Sequence, residues 1–159
     1  MGRLPGPPFA EGHAMIRDVL NSGAVPALEA LASFAAQRHR IVAGNIANID
    51  TPDYQPRDVS VAGFQEALGK AIDRRRTARA PAAPLPLAST REMQVDPRGR
   101  ITLTPQTPSG NILFHDRNNR DLERTMQALA ENVGVYRLAT DLLRSRHESL
   151  RMAIGERTG

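Results

Sequence analysis

The residues best suited to bind a metal or move a proton are four histidines, His13, His39, His115 and His147, and no two of them stand at ligand spacing. The chain has no cysteine, which excludes disulfides, thiolate metal sites and a thiol nucleophile. Gly99 and Gly110 are isolated and cradle no phosphate, and no serine stands in a nucleophile-elbow context. The carboxylates are interspersed with arginines, as on ordinary solvated helix faces. No catalytic, metal or cofactor residue is assigned, and the chain is read as a non-enzyme. The net charge of +4 rests almost wholly on arginine, with Lys70 the only lysine. Arg74, Arg75, Arg76 and Arg79 form one basic cluster, but no aromatic interleaves it and no capped recognition helix stands beside it. Nucleic acid is therefore not assigned as a partner.

What remains is polar spacing of another kind. In Ala43-Gly44-Asn45-Ile46-Ala47-Asn48-Ile49-Asp50-Thr51-Pro52-Asp53-Tyr54 two asparagines stand about one helical turn apart before a compulsory stop. Pro52 biases Thr51 away from helical angles, so a helix must end near Asn48 to Asp50. Asn45, Asn48, Thr51 and Pro52 are expected to set the geometry of a corner.

Two helices must position that corner. From Pro26 to about Asn48, Leu28, Leu31, Ala35, Val42 and Ile49 recur at three- and four-residue steps, and Phe34, Ile41 and Ile46 widen the stripe. Arg38 and Asn45 share this seam. They are expected at its edge, with the Arg38 stem snorkelling; the alternative is that they fix register. Near the C-terminus Leu122, Met126, Leu129, Val133, Tyr136, Thr140, Leu143, His147, Leu150 and Ile154 keep a strict four–three alternation. This heptad predicts a helix of roughly 55 Å from an Asn118 or Asn119 cap to Gly155. A second stripe, Val135, Leu138, Leu142 and Met152, with Ser145 and Ser149 completing the spacing, calls for more neighbours than one helix supplies.

The expected fold is mainly α, with the N- and C-terminal helices paired as an antiparallel coiled coil. Residues 1–14 read as a disordered extension, 15–52 as a helical segment opening on the amphipathic Met15–Leu20, 53–117 as an irregular middle and 118–156 as the coiled-coil helix. Within the middle, a short helix is expected around Phe64, Leu68 and Ile72, and a mobile Arg/Ala/Pro-rich stretch from Arg74 to Pro86. A small hairpin is expected from Ile101–Thr104 and Ile112–Phe114, with Asp96–Gly99 a turn before the first strand. No run approaches the ~20 apolar residues of a membrane span, and no apolar signal core is seen near the N-terminus.

The string Asn45-Ile46-Ala47-Asn48, with Thr51-Pro52 and Tyr54, resembles the N-terminal signature of the bacterial flagellar axial proteins. Gln37-Arg38-His39, Asn118 to Glu123, Ala130-Glu131-Asn132 and the ending Leu150 to Ile154 are similar to the basal-body rod family, at its proximal branch. The likeness covers roughly 15–58 and 114–156. Asp53 departs from the family's glycine, and Arg117 and Arg120 from its Gly and Val.

The resemblance implies a protomer of a helical tube that assembles with itself and other rod proteins, meets basal-body ring or adaptor proteins, and leaves the cell through the flagellar export gate without signal cleavage. It implies a start near Met15. It implies helix packing through Leu28, Leu31, Val42, Leu122, Met126, Leu129, Val133, Tyr136, Leu143, Leu150 and Ile154. Phe64 and Leu68 are similar to an export element, and equally to a locally packed amphipathic helix. A coiled-coil adaptor of another secretion assembly is the alternative reading.

Overall fold

A computed structural model describes residues 23–78, 84–107 and 120–155 of the chain. The expectations for residues 1–14, Met15–Leu20, Arg79 to Ala83, Ile112–Phe114, Asn118 and Asn119, and for His13, His115 and Arg117, lie outside these residues.

Helix α1 spans Val25–Ala47, with Pro26 in its first turn, where a missing N–H leaves no bond unmade. It ends where Pro52 requires, and the Asn48 N–H closes it on the Gly44 carbonyl at 3.2 Å. Helix α2 spans Val61–Thr77, 17 residues, and is longer than the short helix expected. Ser60 caps it, its Oγ accepting from the Gly63 N–H at 2.9 Å. A Cβ on residue 63 would stand 3.1 Å from that hydroxyl, so glycine keeps the cap open. Arg74, Arg75 and Arg76, expected in mobile chain, form the last turn of α2, where positive charge suits the negative end of the helix dipole. Arg75 is buried and donates to the Gly23 carbonyl at 3.2 Å, tying the end of α2 to the start of α1.

The hairpin exists with a different partner strand. β1 (Met93–Val95) pairs antiparallel with β2 (Ile101–Leu103), Gln94 opposite Thr102, so the Asp96–Gly99 turn joins the two strands. Both edges of this small sheet are closed from within. The Gln37 side-chain amide donates to the Ile101 carbonyl at 2.7 Å and accepts from the Leu103 N–H at 3.1 Å, as a neighbouring strand would. On the other edge the Thr90 N–H bonds the Met93 carbonyl and the Val95 N–H bonds Ser89 Oγ. Covered edges do not recruit other strands.

The hairpin, α2 and one side of α1 share a core of Ala30, Phe34, Val59, Phe64, Met93 and Ile101. The Phe34 and Phe64 rings stack at its centre, 4.0 Å apart and nearly parallel. The other side of α1 packs on α3, which spans Arg120–Gly155, 36 residues. Ala35 on α1 and Ala139 on α3 are fully buried, and Asn132 donates from its side chain to the Ala35 carbonyl at 2.8 Å.

Truncating the central ring, Phe64→Ala, is expected to destabilise the fold by about 3–5 kcal/mol, read as a lower urea midpoint by circular dichroism. At the hairpin turn the Asp96 carboxylate accepts from the Arg100 N–H at 2.9 Å, the Arg100 guanidinium at 2.8 Å and the Arg98 N–H at 2.8 Å. The Arg100 amide first, then its guanidinium, hold this carboxyl below its ordinary range. A depressed carboxyl stabilises the turn above its unfolded pKa and ceases to as pH falls through the lower folded value. In an NMR titration the Arg100 amide should therefore move with an apparent pKa below that of a free aspartate, about 4; an unshifted midpoint would contradict this.

Candidate assembly site

The corner after α1 is built on one buried side chain. Asn45 donates to the Arg57 carbonyl at 2.6 Å, while its Oδ1 accepts from the Tyr54 hydroxyl at 2.9 Å and the Arg57 N–H at 3.1 Å. The side chain thus holds the returning chain as a strand partner would. Asn48 turns back on its own helix, donating to the Gly44 carbonyl at 2.8 Å, and its backbone carbonyl accepts from the Thr51 N–H at 3.0 Å. Pro52 is exposed. Asp53 sits at φ +60°, a left-handed conformation suited to the glycine that the resemblance leads one to expect there.

Two turns N-terminal to this clamp, the Arg38 guanidinium grips Asp58 with two parallel bonds, Nε to Oδ1 at 2.9 Å and Nη2 to Oδ2 at 2.6 Å. Asp58 in turn pairs its backbone with Gln106, N–H to carbonyl in both directions at 3.0 Å. Arg38 and Asn45 were expected at the seam's edge; both are buried. Their partners lie in the returning chain, not on α3. A buried guanidinium is tolerable only when paired, and Asp58 supplies that pairing.

The second feature is the face that α3 leaves open. Val135, Leu138, Leu142 and Met152 are exposed, Leu138 at 59%. The buried column of α3 is Asn132 and Ala139, with Thr125 half-buried one heptad before them. This column lies beside the apolar heptad rather than on it. Leu122, Leu129, Val133, Leu143 and Leu150 are half-buried, while Met126, Tyr136, His147 and Ile154 of the expected seam are exposed. On α1, Val42 is buried and Leu28 and Leu31 are half-buried. The reason is steric: Ala35 and Ala139 let two backbones approach closely, and bulky side chains are turned to the flanks. Of the possible export element, Phe64 is in the core and Leu68 packs against it. Among the described residues no cluster of His, Asp and Glu is arranged to hold a metal ion, and no helix is long and apolar enough to cross a membrane.

No family model and no solved structure matches the chain. Curated relatives do. Over 113 residues it is 33% identical to the flagellar basal body rod protein FlgB of Escherichia coli (strain K12), covering 68% of this chain and 75% of that protein. The chain belongs to the FlgB family of flagellar basal-body rod proteins. The FlgB of Salmonella typhimurium is 34% identical over 112 residues, 69% of this chain and 77% of the relative. That of Bacillus subtilis (strain 168) is 28% identical over 136 residues, 85% and 95% respectively.

Within this FlgB-family chain, sequence reasoning missed Gln37, Asp58 and Asn132 as structural partners. The Gln37-Arg38-His39 step had marked two of the side chains involved, but not what they hold. Losing the Asn45 clamp by Asn45→Ala leaves the Arg57 amide and the Tyr54 hydroxyl without their acceptor and should cost about 2–3 kcal/mol. Asp53→Gly removes the left-handed strain and should be neutral or stabilising by up to about 1 kcal/mol. Urea melts of the two variants check both signs.

Proposed function

We propose that this chain is a structural protomer of the proximal flagellar rod and joins copies of itself and other axial proteins in a helical, torque-transmitting tube. The observation that carries the reading is the open apolar stripe of α3, Val135, Leu138, Leu142 and Met152, on a helix longer than α1. Exposed apolar side chains gathered on one face of a helix mark a surface that another protein covers. A head-to-tail contact that does not close generates an open helical assembly. Stability drawn from neighbours leaves the free subunit marginal.

Its place is the basal body, in the rod that spans the periplasm, reached through the export gate without signal cleavage. Basal-body ring or adaptor proteins complete the partners, and neither catalysis nor a cofactor is part of the role. Phe64 and Leu68 serve as the export element. Their place in the core means that the gate reads them only on an unfolded chain, which agrees with export before folding. Leu28, Leu31, Val42, Leu122, Met126, Leu129, Val133, Tyr136, Leu143, Leu150 and Ile154 serve helix packing within and between subunits. The signature residues Asn45, Ile46, Ala47, Asn48, Thr51, Pro52 and Tyr54 set the corner that aims α1 at its neighbours.

Deleting the gene should abolish the rod and motility; a deletion strain that builds complete rods and swims would sink the proposal. Leu138→Glu with Leu142→Glu should leave the chain's helix content unchanged, because both side chains are exposed, yet abolish rod assembly and swimming. A stable small oligomer by light scattering, unaffected by this pair, would favour the coiled-coil adaptor.

A further inference from the structure

We propose that Asn132 is the register lock of the α1–α3 pair. It is a positioning residue that decides which heptad of α3 faces α1 and so how far α3 projects beyond its partner. Three observations carry this. Asn132 is only 4% exposed, and its amide donates to the Ala35 carbonyl at 2.8 Å, the bond that fixes α3 lengthwise on α1. The apolar pattern beside it repeats every seven residues, with Leu122, Leu129, Tyr136, Leu143 and Leu150 in one column and Leu28, Ala35 and Val42 in the facing helix. Apolar contact alone therefore distinguishes poorly between registers one heptad apart. The third is the size of Ala35. Its small side chain lets α3 come within hydrogen-bond reach of the α1 backbone, whereas a slip of one heptad sets Asn132 against the bulkier Leu28 or Val42, which hold the amide away from a carbonyl. In the slipped pair the Asn132 amide is buried without an acceptor, which a protein interior resists.

The lock has a consequence for the outer face. With Asn132 seated, Val135, Leu138 and Leu142 stand outward at a fixed height along α1. One heptad of slip moves that row by about 10 Å, seven residues at 1.5 Å each. This inference rests on the packing of this chain alone and stands or falls separately from the rod reading.

The chain has no cysteine, so nitroxides can be placed cleanly on His39→Cys and Glu148→Cys, both exposed positions. Double electron–electron resonance in glycerol buffer, with helicity verified by circular dichroism, then reads the register. The native sequence should give one distance. Asn132→Leu should keep its helicity and melting midpoint while a second distance, about 10 Å away, gains at least a tenth of the population. Transplanting the lock, Asn132→Ala with Ala139→Asn, should give one distance displaced by about 10 Å. A single unshifted distance in the transplanted chain would overturn the proposal, whatever its stability. So would a lower midpoint in Asn132→Leu with one native distance, which marks an ordinary packing residue.

Discussion

The structure depends on α1 being held from two sides by unlike means. On one side α3 lies close because Ala35 and Ala139 are small. On the other, polar side chains of α1 reach out to chain that has already turned: Gln37 to β2, Arg38 to Asp58, Asn45 to Arg57 and Tyr54. Each of these side chains satisfies backbone groups or, for Arg38, pairs a buried charge, and together they hold the returning segment against the helix. The Phe34–Phe64 stack then fills the space so enclosed. Removing the polar contacts would leave the middle of the chain with a core but no fixed address on α1.

How much of this was legible in the sequence follows from the range of each interaction. The end of α1 was readable because Pro52 acts on its own neighbour. The length of α3 was readable because a heptad repeats many times. The burial of Arg38 was not, because the residue that makes it tolerable stands in a segment with no periodicity. The first strand of the hairpin was missed because Met93–Val95 is too short to display alternation; the turn and the second strand were seen, and the partner of Ile101–Leu103 was sought after it rather than before the turn. Asn132 was overlooked because the seam was drawn through the largest apolar side chains, whereas the closest approach of the helices runs through the smallest. Arg74 to Arg76 looked like linker by composition, yet a helix already capped at Ser60 carries them.

Membership of the FlgB family gives these features a setting. The apolar stripe of α3 stands exposed, and the corner around Asn45 keeps α1 and the middle segment in one relative pose. Asp53 shows that the corner tolerates a cost: aspartate occupies a left-handed position at some strain, and the clamp at Asn45 sustains it.

The central claim is that the open stripe of α3 is covered in the assembled rod, and cysteine labelling at Leu142→Cys tests it most directly. In the free chain a maleimide should modify this position rapidly, since Leu142 is exposed and no other thiol competes. In purified basal bodies the same position should resist modification until the rod is dissociated. Equal labelling in the free chain and in intact basal bodies would contradict the account.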